Sequence, residues 1–305
     1  MNLAAGRPAF GAHQALAGIA LVTAACACFS VLDTTAKYVS AWVPLLMALW
    51  FRYAFQAVAT TLVMLPLRGV KVLRTRHLPF QCLRGVLLLA SSLFAFASLK
   101  DMPVGEFTAI VMISPLVVTL LAATVLKEKV SLLRWMLVAG GFAGTVVIIR
   151  PGSETFHWTS LLPLGLVASN AWFQVLTSKL ARTEDPVTMH LYTGWVGTLL
   201  ASLALPFVWV QLDASWLWLP LGLMGAMATI GHFMLILAYQ RAPAATLTPY
   251  LYSQIGFGML GGWLVFEHVP DGWATAGMVM IAVCGAGGAW LTVRERRLTM
   301  EPMAA

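Results

Sequence analysis

Residues 21–148 and 163–287 carry the same succession of features, about 140 residues apart. Each stretch holds five long apolar segments. Lys37 and Pro44 in the first match Lys179 and Pro186 in the second, Pro103 matches Pro243, and Trp135 matches Trp273. Five is an odd number, so in a membrane the second copy starts on the side opposite the first. Inverted repeats of this kind are a common way of building a chain with a binding site at the bilayer midplane. The expected fold is therefore an all-α integral membrane protein, ten transmembrane helices in two inverted five-helix repeats. The repeats are residues 1–150 and 151–297, with a short tail at 298–305.

Composition supports lipid as the solvent. The chain has 305 residues, 60% hydrophobic and 10% charged, against about 25% charged in a typical soluble protein. A spanning helix needs about 20 mostly apolar residues. Such segments fall near 15–38, 43–67, 81–100, 103–126, 130–150, 157–180, 186–211, 214–239, 243–266 and 272–293. The first is too long for the core of a secretory signal and ends in Asp33 and Lys37 rather than at a small-residue cleavage site, so it reads as a retained span.

Loop charges set the orientation. With the N-terminus in the cytoplasm, Lys100 and Arg150 fall outside and Lys37 and Arg52 fall within spans; the other fifteen of the nineteen Lys and Arg collect inside. That bias follows the positive-inside rule and puts both termini in the cytoplasm. The formal net charge of +7 thus reads as an orientation signal, and nucleic acid is not an expected partner. Cys26, Cys28, Cys82 and Cys284 make neither a zinc pattern nor a disulfide framework. No metal or cofactor is expected. Gly140, Gly141 and Gly144, and Gly285, Gly287 and Gly288, sit inside the fifth helix of each half, where small residues permit close packing. They do not form nucleotide loops, and no Walker motif is present, so ATP is not the expected driver.

Charges within spans are costly and mark candidate sites. Asp33 and Arg52 lie on the two arms of the first hairpin, each about nine residues from its turn and so both ~14 Å below it. They can pair, to coordinate a charged or zwitterionic molecule, to carry a coupling proton on Asp33, or to tie two helices together. Lys37 shares a face with Asp33 and reads as a gate or a residue reaching for the membrane surface. His232 and Tyr250 form a second equal-depth pair about the turn near 241, followed by Tyr252 and Gln254. Pro249, and Pro115 at the matching place in the first half, interrupt helices 9 and 4 and free backbone groups. Arg84 opens helix 3 as a gate or orientation charge. Glu106 lies near Lys100 and is expected to pair at the surface. Asn170 and Gln174 share a face of helix 6 beside Trp172. Trp50 and Trp172 are the tryptophans best placed for a cavity. Trp42, Trp158, Trp209, Trp216 and Trp218 fit an interfacial belt.

In order and at repeat spacing, several motifs resemble the EamA-type members of the drug/metabolite transporter superfamily over nearly the whole chain. They are Asp33 to Lys37, Phe51-Arg52-Tyr53, Leu83-Arg84-Gly85, Met102-Pro103, Ser114-Pro115, Leu126-Lys127-Glu128, Ala242-Pro243, Pro249 to Tyr252, and Phe266-Glu267. The pattern is most similar to a bacterial cluster that includes S-adenosylmethionine carriers, riboflavin carriers and metallophore exporters. The resemblance implies a secondary transporter of the bacterial inner membrane that moves a small polar metabolite by alternating access. It implies a cavity lined by helices 3, 4, 8 and 9, helices 1, 2, 6 and 7 moving against them, and helices 5 and 10 at a peripheral or homodimer face. An intramembrane lipid-modifying enzyme and a non-transporting membrane protein are the alternatives. The first would need clustered acids, histidines or a metal set, and no HExxH, paired Asp or His cluster is present.

Overall fold

The computed structural model describes residues 12–114, 116–117, 121, 132–150, 157–180, 183–241, 247 and 250–300. Among them are ten α-helices and no strand. These are α1 (Ala12–Val39), α2 (Leu45–Arg68), α3 (Leu78–Asp101), α4 (Val104–Val111), α5 (Leu132–Ile149), α6 (Leu162–Leu180), α7 (Pro186–Val208), α8 (Trp218–Arg241), α9 (Ser253–Phe266) and α10 (Gly272–Met300). Six helical segments are long and apolar enough to cross a membrane on length and composition alone. Leu203, Phe207 and Leu219 are more than 70% exposed, as suits a surface that meets lipid rather than water.

Helix starts follow local chemistry. Pro44 and Pro103 stand at the N-caps of α2 and α4, where a missing N–H costs nothing. Asp185 caps α7, its carboxylate accepting from the Val187 and Thr188 N–H groups at 2.7 and 3.4 Å. Glu267 ends α9 in the left-handed region, φ 54°. Regular α-helix stops at Val111 in α4 and resumes at Ser253 in α9; Pro115 and Pro249 lie outside the described residues.

Asp271 caps α10. Its carboxylate accepts from the Ala274 N–H at 2.8 Å and pairs with Arg150 at the end of α5. The Ala274 N–H first, then the Arg150 guanidinium, hold this exposed carboxyl below the usual aspartate range. The charged form is the one favoured by folding, so its stabilisation is present above an ordinary Asp pKa of about 4 and fades as pH falls through the depressed value. Asp271→Ala is expected to lower thermal stability at neutral pH. The gap to wild type should narrow as the pH of the melt is brought below the ordinary aspartate range.

The principal packing pairs are α1 with α8, α3 with α6, α2 with α7, α2 with α8, α3 with α7, α1 with α9, α4 with α9, and α5 with α10. The apolar core lies among them, around Leu49, Tyr53, Phe107, Ile110 and Met224. The α5–α10 crossing is tight: a Cβ on Gly277 would lie 2.6 Å from the Gly144 carbonyl oxygen. Small residues let two backbones approach this closely.

Candidate functional site

Arg52 is buried at 3% exposure, in the third turn of α2. It donates through Nη1 to Ser92 Oγ of α3, and its Nη2 lies 3.1 Å from His232 Nε2 of α8. A guanidinium can only donate, so His232 accepts at Nε2 and carries its proton on Nδ1. Ser92 gives its own proton to the Leu88 carbonyl at 2.9 Å. It therefore accepts from both Arg52 and the Tyr53 hydroxyl, the latter at 2.9 Å. The Arg52 guanidinium also lies over the Tyr53 ring, 4.7 Å from its centroid. Asp33 of α1 is buried too, with Gln254 of α9 and the Arg52 guanidinium in its electrostatic surroundings. Phe29 closes the α1 side, its ring 4.8 Å from that of His232. Five helices thus bring one cation, one carboxylate, one imidazole, an amide and two hydroxyls together. Among the described residues, Arg52 Nε is buried there without a partner.

The other residues singled out by sequence are dispersed. Trp50 donates to Ser202 Oγ of α7 at 2.8 Å. Tyr250 is 40% exposed and Trp172 49%; Asn170 and Gln174 are half-buried on α6. The Tyr252 ring packs so closely on α10 that a Cβ on Gly285 would overlap it, and its buried hydroxyl has no partner. Lys37 caps the C-terminus of α3, donating to the Leu99 and Met102 carbonyls at 2.9 and 3.0 Å; a cation suits that end of a helix. Glu106 faces His268 at 3.5 Å rather than Lys100. At this same end two cavities open, of about 280 and 460 Å³, both lined by Trp42 and Lys100.

A second polar cluster lies toward the other end. Arg84 of α3, 1% exposed, donates to Thr177 Oγ1 of α6 at 2.9 Å, to Gln81 Oε1 at 2.9 Å and to the Met189 carbonyl of α7 at 3.2 Å. Gln56, one turn beyond Arg52 on α2, donates to the His190 carbonyl at 3.1 Å. Sequence reasoning did not single out Tyr53, Gln56, Gln81, Ser92 or His190. For Gln56 and Gln81 a signal existed: each shares a helix face with a named arginine, at spacings of four and three.

These helices and their buried polar interior are those of a multi-pass membrane protein. Residues 16–150 match the EamA-like transporter family. The chain is 30% identical to a riboflavin transporter of Vibrio cholerae, over 93% of this chain and 97% of that one. It is 25% identical to an S-adenosylmethionine uptake transporter of Rickettsia bellii, over 82% and 85%. A solved crystal structure shares the fold with a TM-score of 0.64 at 20% identity, over 92% of this chain and 98% of its own. The chain belongs to the EamA-like transporter family. Both relatives are named as transporters and neither as an enzyme, and the present chain is a small-molecule transporter of that family.

Proposed function

We propose that the chain carries a small polar organic metabolite across a bacterial inner membrane by alternating access, with both termini cytoplasmic and the Arg52 cluster as the central site. The observation that carries this reading is the origin of the cluster. Asp33, Arg52 and Ser92 come from the first half of the chain; His232 and Gln254 come from the second. A polar site shared between two halves changes its exposure when the halves rock, and a site within one half does not.

The packing supports treating 1–150 and 151–297 as inverted repeats. Adding five to each helix number turns α1–α8 into α6–α3, α1–α9 into α6–α4, and α2–α8 into α7–α3. It turns α2–α7, α4–α9 and α5–α10 into themselves. Every one of these pairs is in contact. Energy comes from a gradient or from exchange, and Asp33 is the carboxylate placed to hold a coupling proton. The two cavities lie at the Lys37 end, the outer one under the proposed orientation.

Riboflavin is the first cargo to test, on the strength of the Vibrio cholerae relative, and S-adenosylmethionine the second. In liposomes containing the purified chain, labelled riboflavin should enter saturably and be competed by excess unlabelled riboflavin. Well-folded protein that moves neither compound would overturn the cargo assignment. Chemical turnover without flux would overturn transport itself.

A further inference from the structure

The Arg84 cluster has hydrogen-bonding capacity left over, and its pattern specifies a ligand. Arg84 is almost fully buried, yet its partners are a hydroxyl, an amide oxygen and a carbonyl. Among the described residues no carboxylate pairs with it and Nη2 makes no hydrogen bond. Two amides belong to the cluster. Gln81 accepts from Arg84 through Oε1, which leaves its Nε2 as a free donor. Gln56 donates to the His190 carbonyl through Nε2, which leaves its Oε1 as a free acceptor. The partners fix both amide orientations. His190 Nδ1 faces the Gln56 N–H at 3.4 Å, so it accepts, and the ring proton sits on Nε2. Gln81 Nε2, Gln56 Oε1 and His190 Nε2 are all buried without a partner. The cluster thus holds three donors and one acceptor that are not engaged with one another. Flat rings stand beside it: Phe173, 5.0 Å from the Arg84 guanidinium, and Phe233, 5.7 Å from the His190 ring.

We propose that this cluster is a second cargo site, reached from the Arg84 end, which takes a planar heterocycle by an imide or lactam edge. Carbonyl oxygens of the ligand meet Arg84 Nη2, Gln81 Nε2 and His190 Nε2, and an N–H between or beside them meets Gln56 Oε1. A carboxylate or phosphate fits less well, because it has no proton for the Gln56 oxygen. A purely structural latch is a poorer account, since buried polar groups are ordinarily satisfied by one another. Here, among the described residues, three groups on α2, α3 and α7 are not. Access requires the first turns of α7 to part from α2 and α3, breaking the Gln56–His190 and Arg84–Met189 bonds. A carrier that opens at this end would make that motion, so the inference rests on the transport reading. It extends that reading by stating which edge of the cargo is read at the Arg84 end.

The test uses the purified full chain, melted with millimolar uracil, which has the edge, or 1,3-dimethyluracil, which lacks both N–H groups. Uracil should raise the melting temperature saturably, with about tenfold weaker apparent affinity for the dimethyl compound. Gln81→Leu and Gln56→Leu should each abolish the difference, and Lys71→Gln, an exposed site, should keep it. If one leucine variant does not fold, the other decides. Equal protection by the two compounds, no protection by uracil, or unchanged discrimination in the leucine variants would overturn the proposal. Uracil discrimination without riboflavin flux keeps this site and removes only the cargo assignment. Riboflavin flux without discrimination keeps the carrier and removes this site.

Discussion

Arg52→Ala is expected to reduce riboflavin flux into proteoliposomes by at least about 100-fold, on the scale of losing two or more charge-assisted hydrogen bonds at about 1.5–3 kcal/mol each. The guanidinium holds Ser92 of α3 and His232 of α8 at once, so its removal uncouples one half of the chain from the other. It also leaves Asp33 as a buried carboxylate without the nearby Arg52 charge, and breaking a buried charge arrangement by taking one member is strongly destabilising. Loss of folding must therefore be separated from loss of transport. Removing both charges, with Asp33→Asn and Arg52→Gln together, should recover much of the melting temperature without recovering flux. Arg52→Lys should fall between, because one ammonium cannot reproduce a fork that reaches two helices. Flux in Arg52→Ala close to wild type would remove Arg52 from the site.

The second large effect is expected at a position with no polar atom of its own. Gly197 of α7 lies against Tyr53, and a Cβ there would come within 2.2 Å of the ring. Tyr53 is fully buried, so its ring has nowhere to retreat, and its hydroxyl is one of the two groups that Ser92 accepts from. Gly197→Val should cost about 1–3 kcal/mol through overpacking. By pulling Tyr53 off Ser92 it should also lower flux at least about tenfold, a ratio that about 1.4 kcal/mol at the site supplies. Gly222 of α8 has open space around its missing side chain, so Gly222→Ala should leave melting temperature and flux near wild type. Equal behaviour of the two variants in paired melting and flux measurements would break the link between this helix contact and the site.

The part of this architecture legible in the sequence is the part written along single helices. Apolar length and proline-bearing breaks located the helices, because a helix in lipid satisfies its own backbone, while some ends fell elsewhere: α6 starts at Leu162 rather than near 157, and α10 runs to Met300 rather than 293. Counting residues from a turn also gave useful depths: Asp33 and Arg52 do reach a common buried cluster. Depth does not give the direction in which a side chain points. The hydrogen bonds of Arg52 run to Ser92 and His232, while Asp33 meets Gln254. His232 faces Arg52, whereas Tyr250, at an equivalent depth, is exposed. Ser92 carried no signal, since serine is ordinary in membrane helices. The burial of Arg84 was hidden by its place near the start of a helix, where arginine usually marks orientation.

The central claim is that cargo crosses through a site assembled by both halves around Arg52. Counterflow tests it most directly, since it needs no knowledge of the driving ion. Liposomes are loaded with unlabelled riboflavin and diluted into a trace of labelled riboflavin. The wild-type chain should produce a transient accumulation of label above equilibrium, and Arg52→Ala, reconstituted to the same density, should produce none. An overshoot of equal size in both would contradict the claim.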